Sequence, residues 1–499
     1  MSSERIKKED IIGYVIGESD IQQTTILLKQ KNIVIGQYII LEYLDKKVLG
    51  LIIAVNTGSP VFNNVYDIKM IEDIIEVDKD LLIYTKAKVK LLYDLNNLTL
   101  PDQPPLPLAP VRLATDRELE RFSAIGNIRL GKLIGTNAEV RINGNALFRH
   151  LAILASTGAG KSNTVAILSS RIAELGGTML IFDYHDEYYD SDIKKLNQIQ
   201  PQINPLHLTV SEFAKFINID SQAHIQYRLF RKAFKNCKDK IREELGSGRI
   251  SIELLNNGGF LEKFEESLEE VLEKERSDNS KRADEVTDKI EDFMDRYDSV
   301  INFAVSDVTE RIRKGMVNVV DTGSLVDEQI TDTIISHYLR RILQGRKDNK
   351  RNGKGGLEFP IITVIEEAHV FLSKNERTLT KTWASAIARE GRKFGVGLII
   401  VSQRPKGIDE NILSQMTNKI ILRIVEPSDQ RYVIDASDNL GEDIANSLPS
   451  LNVGEALLIG NLAKIPLMIK IDKFEGKLGG SDPDMFKPND FSNIEGWEV

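Results

Sequence analysis

One stretch of nine residues, ASTGAGKSN (155–163), constrains this chain more tightly than any other feature. It follows the apolar run HLAILAS and opens the helical pattern TVAILSSRIAEL, which puts it at a strand-to-helix turn. Such a turn collects free backbone N–H groups at a helix N-terminus, where they favour a polyanion. Ser156, Thr157, Gly158, Ala159, Gly160, Lys161, Ser162 and Asn163 line it. Gly158 and Gly160 let phosphate oxygens approach the backbone, Lys161 brings charge to the β- and γ-phosphates, and Ser162 offers a hydroxyl to Mg²⁺. The pattern predicts binding of ATP with Mg²⁺. Ala155 stands where the common motif has its first glycine, and that change removes no phosphate ligand.

A second apolar run, ITVIEEAH (362–369), ends in two carboxylates. Beside a phosphate loop, the first acid at a strand tip holds the Mg²⁺ shell and the second polarises the attacking water. This assigns Glu366 to the metal and Glu367 to the general base. The run VGLIIVSQ ends at Gln403, an amide placed to sense the γ-phosphate or orient water, unless it only satisfies its own turn. Asp183, at the tip of TMLIFDY, either assists the metal or caps the following segment. Arg389, Arg392 and Lys393 crowd a predicted helix C-terminus, where cations are favoured by the dipole alone. The alternative for Arg392 is a finger reaching a neighbouring subunit's γ-phosphate. Arg149, just before the loop strand, is a candidate for the same charge within its own subunit. His185 and His369 read as local hydrogen-bonders.

Strand-like runs at 150–156, 178–184, 316–323, 359–367, 396–403 and 419–425 alternate with helical patterns. Continuous apolar strands separated by crossover lengths predict a doubly wound α/β core. Its expected bounds are 111–207 and 301–475, interrupted by a helical insertion at 208–300, with a tail at 476–499. In the insertion Leu261, Phe264, Leu268, Val271 and Leu272 recur at helical spacing. Ahead of the core, short Val/Ile/Leu/Tyr runs within 1–100 predict a small antiparallel β-barrel, interrupted by a helix near 66–76. PDQPPLPLAP (101–110) holds five of the fifteen prolines and reads as a stiff spacer.

A single cysteine, Cys237, and six histidines exclude a disulfide scaffold and leave little for zinc. No apolar run approaches the ~20 residues of a membrane span, and the N-terminus lacks a signal-peptide core, so a cytoplasmic protein is expected. Residues 261–300 carry 15 acidic and 7 basic side chains, eight of the nine net negative charges. The rest is nearly neutral, so bulk charge does not exclude nucleic acid. Two basic segments suit a phosphate backbone. GRKDNKRNGKGG (345–356) reads as a flexible cationic loop with Arg346, Lys347, Lys350 and Arg351, and LSKNERTLTK (372–381) offers Lys374 and Arg377. Either could equally be a solvated face.

Together the barrel, ASTGAGKSN, FDYHDEY, IEEAH and REGRKFGVGLIIVSQRP resemble the HerA family of archaeal hexameric DNA translocases related to FtsK. The resemblance implies a RecA-like core, a homohexameric ring around double-stranded DNA, and a NurA nuclease docked on the barrel face. It also implies DNA end resection beside the Mre–Rad complex. By motif match it assigns Lys161 to phosphate, Glu366 and Glu367 to metal and water, Arg392 as trans finger and Arg149 as its cis companion. A ring ATPase that unfolds proteins is the other reading. That class would carry an aromatic pore loop and a C-terminal helical lid, whereas this chain closes with GEALLIGN and IPLMIKID.

Overall fold

The computed structural model describes residues 8–480 apart from 30–31, 60–67, 69–82, 98, 220–221, 276–278, 326, 354 and 438–441. The helix expected near 66–76, Ile68 aside, and residues 481–499 of the tail lie outside the described residues. By internal contacts the chain divides into two units, Met1–Met179 with Leu339–Lys473 and Leu180–Tyr338 with Phe474–Val499.

The first unit opens with a closed barrel of β1 (Ile11–Ile16), β2 (Gln23–Leu28), β3 (Tyr38–Tyr43), β4 (Lys46–Gly58), β5 (Tyr84–Asp94) and β6 (Pro110–Leu113), in the order β1-β2-β5-β4-β3-β6. Burial alternates along β2 and β5, as a two-residue period requires. Ile12, Val15, Ile26, Ile39, Leu41, Val48, Ile52, Val89 and Val111 fill the interior. The barrel does not end at residue 100. β6 begins on the last proline of the supposed spacer and pairs with both β1 and β3. Residues 101–110 fold onto the barrel: Leu108 N–H donates to Val15 O at 2.9 Å and Tyr43 Oη to Gln103 O at 2.9 Å. Proline is tolerated here because Pro110 is the first residue of β6, a position that needs no ladder donor.

Seven more strands with β13 complete this unit's sheet: β7 (Ile128–Leu133), β8 (Glu139–Ile142), β9 (Leu151–Leu154), β13 (Ile361–Ile365), β14 (Val396–Ser402), β15 (Asn418–Ile421), β16 (Glu455–Ile459) and β17 (Leu467–Ile471). They lie in the order β13-β14-β9-β15-β16-β17-β7-β8. β13, β14, β9 and β15 are parallel and almost wholly buried, whereas β15 to β8 pair antiparallel. The α/β expectation holds for the half that carries the loop, and the far half is a meander. Buried Tyr38 ties barrel to sheet, its hydroxyl donating to Pro466 O at 3.1 Å and accepting from Met468 N–H at 2.9 Å.

His150 pins the central strands. It is 3% exposed, has φ 65°, and its Nδ1 accepts from Leu398 N–H at 3.1 Å while the ring also bonds the Ala388 carbonyl. Burial holds its pKa down at about 4. A ring that is neutral when folded and titrates near 6.5 when unfolded stabilises fully above pH 6.5 and loses that contribution as pH falls to 4. The loss reaches about 3 kcal/mol. Asp183, raised to about 6 by burial, contributes with the opposite sign over part of that range. Urea midpoints followed by Trp383 emission should therefore fall less steeply below pH 6.5 in His150→Gln than in the wild type. Parallel curves for the two would refute the assignment.

The second unit contains β11 (Leu196–Ile199), β12 (Val317–Asp321) and β10 (Met179–Asp183) in the order β11-β12-β10. Its helices Val210–Phe216, His224–Gly246, Phe260–Glu275 and Ser280–Arg296 bury an aromatic cluster of Phe213, Phe230, Phe234, Phe260 and Phe293. Phe264, Leu268 and Val271 are buried as their spacing predicts. Cys237 is fully buried there, and its thiol is pushed up to about 12. No helix among the described residues is long and apolar enough to cross a membrane.

Candidate active site

The loop leaves β9 and is held from both flanks. Ala155 N–H donates to Ser402 O at 3.1 Å and Ser156 N–H to Arg423 O at 2.8 Å. Ala155 is not among the positive-φ residues, so an alanine fits that position without backbone strain. Gly158 and Gly160 do need glycine, with φ 72° and 108°. Gly160 leads directly into the helix Lys161–Glu174, and a side chain at Gly158 would meet nothing within 4 Å, so the loop face is open to a ligand. Ala159 is buried under Gly454, whose N–H donates to Ala159 O at 3.0 Å. Asn163 faces the helix's far support, Nδ2 donating to Asp472 O at 2.9 Å, which makes it an anchor of the helix.

Lys161 Nζ donates to Glu367 Oε1 at 2.7 Å. Glu366 and Glu367 are only 4% and 3% exposed, just past the tip of β13. Glu367 has φ 40° and ψ 47°, an unusual left-handed conformation for a non-glycine residue, which turns the chain sharply after Glu366. Its second oxygen lies 3.1 Å from His369 Nδ1, and that nitrogen lies 3.2 Å from Ser402 Oγ. His369 is a local hydrogen-bonder as expected, and it also approaches a site carboxylate. The sequence hides this contact because only the turn at Glu367 brings a residue two positions on back to the carboxylate. Gln403 accepts from Thr157 Oγ1 at 2.6 Å, so the β14 tip touches the phosphate loop. Open backbone donors, Lys161, the Ser162 hydroxyl and a buried carboxylate pair form a donor set that fits ATP with Mg²⁺.

The other expected residues divide. Arg392 is exposed at the end of the helix Leu379–Phe394, and its side chain makes no hydrogen bond or ion pair among the described residues. It precedes β14, whereas the phosphate loop meets the far end of that strand, ~20 Å away at the ordinary strand rise. Arg149 lies at the N-terminal end of β9 and donates to Asn461 Oδ1 at 2.8 Å. It is separated from its own loop by the whole strand, so the cis role is not supported by its position. Asp183 accepts the backbone N–H groups of Glu187, Tyr188 and Tyr189 at 3.0, 2.8 and 2.8 Å. Both its oxygens organise the FDYHDEY segment, in keeping with the capping alternative and against a metal role.

The expected flexible loop 345–356 is for the most part helix, since the helix Glu328–Asn352 runs through it. Arg346 donates to Phe394 O at 2.8 Å and Leu357 O at 2.9 Å, Lys347 pairs with Glu390, and Lys350 donates to Lys393 O at 2.5 Å. These three bind the C-terminal end of the helix Leu379–Phe394, so DNA contact is not what their placement explains. Arg351 is exposed on the last turn. Lys374 and Arg377 are exposed, and Lys374 Nζ sits 5.9 Å from the Tyr432 ring centroid.

A barrel joined to an α/β core, with a phosphate loop facing a buried acid pair, defines an ATP-hydrolysing motor of the P-loop class. Comparison narrows the class. Residues 128–342 match the domain described as "Helicase HerA, central domain", 304–471 the "Helicase HerA-like C-terminal" domain and 12–97 the "HAS barrel domain". The chain is 55% identical to the HerA helicase of Sulfurisphaera tokodaii over 96% of both chains, and 55% identical to that of Saccharolobus solfataricus over 95% of both. The Pyrococcus furiosus HerA helicase is 31% identical over 77% of this chain and 76% of its own. Among solved structures, the plasmid coupling protein TrwB with ADP and Mg²⁺ shares the fold at TM-score 0.50 and 14% identity, covering 73% of this chain and 93% of that one. The chain belongs to the HerA helicase family.

Proposed function

We propose that this protein hydrolyses ATP to drive double-stranded DNA through a homohexameric ring during repair of broken ends. The observation that carries the reading is the direct ion pair between the phosphate-loop lysine and Glu367, with an exposed basic segment following closely in the chain. The name that the relatives carry, DNA double-strand break repair helicase, supports the setting. Loop N–H groups and Lys161 hold the triphosphate, and Ser162 and Glu366 would hold Mg²⁺, which would supply charge neutralisation for the transferring phosphate. A triphosphate draws Lys161 off Glu367 and frees that oxygen to take a proton from water. Gln403, held through Thr157, orients the water or registers the γ-phosphate. Arg392 reaches the neighbour's site in the ring. A NurA-type nuclease docks on the barrel, where Leu106 and Leu108 are 47% and 75% exposed, with the Mre–Rad complex working alongside.

ATPase rates with and without linear duplex DNA test this reading, and a rate indifferent to DNA would favour the protein-unfolding alternative. The double variant Lys374→Ala, Arg377→Ala should bind duplex more weakly. Its salt slope should shrink by roughly one unit for each phosphate the protein no longer neutralises. Basal ATPase should stay intact and the DNA-stimulated rate should fall. An unchanged salt slope would return these residues to an ordinary solvated face.

A further inference from the structure

We propose that His369 is a positioning residue that fixes Glu367 for catalysis and ties it to the DNA-facing segment. His369 Nδ1 lies within ion-pair distance of Glu367 Oε2, at 3.1 Å, and shares a hydrogen bond with Ser402 Oγ at 3.2 Å. Ser402 Oγ in turn accepts Arg404 N–H at 3.0 Å, at the start of the turn Pro405–Gly407. That turn packs against the base of the His369 side chain, because a side chain at Gly407 would come within 3.1 Å of His369 Cβ. It is also stitched to the basic segment: Lys374 N–H donates to Gly407 O at 3.0 Å and Asp409 N–H to Leu372 O at 2.8 Å. A continuous path of short contacts therefore runs from the base, through one imidazole, to the backbone of Lys374.

Two features give the path its consequence. Glu367 has one oxygen on Lys161 and the other 3.1 Å from His369 Nδ1, so a triphosphate that takes Lys161 leaves the second oxygen still beside the ring. The left-handed backbone at Glu367 fixes the main chain and leaves the side chain's direction to what its two oxygens meet. Movement of the 372–378 segment on a phosphate backbone shifts the Pro405–Gly407 turn and Ser402 with it, and the ring conveys that shift to the base. The link to DNA rests on the function proposed above, whereas the positioning of Glu367 does not.

Full-length wild type and variants are compared for kcat and KM with Mg–ATP, with and without linear duplex, and for duplex affinity by anisotropy. His369→Ala should lower basal kcat roughly tenfold, the usual cost of losing a second partner of a reacting group, with KM for ATP within twofold. His369→Asn, whose amide N–H falls near the Nδ1 position, should recover most of that loss. Ser402→Ala should lose most of the DNA stimulation at unchanged duplex affinity. Basal kcat in His369→Ala equal to wild type, or an Asn variant as impaired as the Ala variant with intact Trp383 emission, would overturn the positioning role. Full DNA stimulation in Ser402→Ala would overturn the coupling alone. A wild type that ignores DNA would instead sink the DNA reading, and the basal kcat of His369→Ala would still decide the role of the ring.

Discussion

Glu367→Gln should yield a protein that binds ATP and scarcely turns it over. The amide keeps the side chain's volume and its place between Lys161 and His369 but cannot take a proton, and a lost general base costs about 10²–10⁴ in rate. Affinity for ATP should hold or improve, because the neutral amide no longer competes with phosphate for Lys161 across 2.7 Å. Lys161→Ala should do the reverse and weaken binding directly. Single-turnover hydrolysis beside equilibrium nucleotide binding separates the two. Turnover near the wild-type rate in Glu367→Gln would move the base to Glu366.

Arg392→Ala should fold, assemble and be nearly inactive as an ATPase. A finger on a neighbour's phosphate is worth about 10³–10⁵ in turnover, whereas an arginine that merely answers the helix dipole contributes ~0.3–1 kcal/mol to stability. The two outcomes lie far apart. Mixing with Lys161→Ala sharpens the test, since one variant keeps a working phosphate loop and the other a working finger. Mixed rings, verified by native mass spectrometry, should regain activity at a fraction of their interfaces. If mixed rings form and never exceed either parent, the trans role fails and Arg389 becomes the candidate.

The parallel strands around the phosphate loop were legible because strands covered on both faces are continuous apolar runs, and the glycine–lysine turn between them admits few other readings. Where the sequence misled, tertiary packing had the last word. Residues 101–110 look like a spacer by composition, yet Pro110 starts the strand that closes the barrel. Gly and Lys at 345–356 suggest a loop, but Arg346, Lys347 and Lys350 find carbonyls and Glu390 at the end of the helix Leu379–Phe394, and most of the segment stays helical. Arg149 is near the phosphate loop in the sequence and a full strand away in space. The approach of His369 to Glu367 depends on one backbone conformation that no periodicity reports.

The barrel seam has a consequence for how the chain acquires its structure during synthesis. β1 and β3 each present an unpaired edge until β6, whose first residue is Pro110, has been made. The β1–β6 ladder joins Ile11 to Arg112, a separation that makes closure a late, non-local event. Until then two hydrophobic strand edges are available to other nascent chains, the situation that invites edge-to-edge association. A truncation ahead of residue 113 would remove the closing strand itself and leave both edges open in the finished protein.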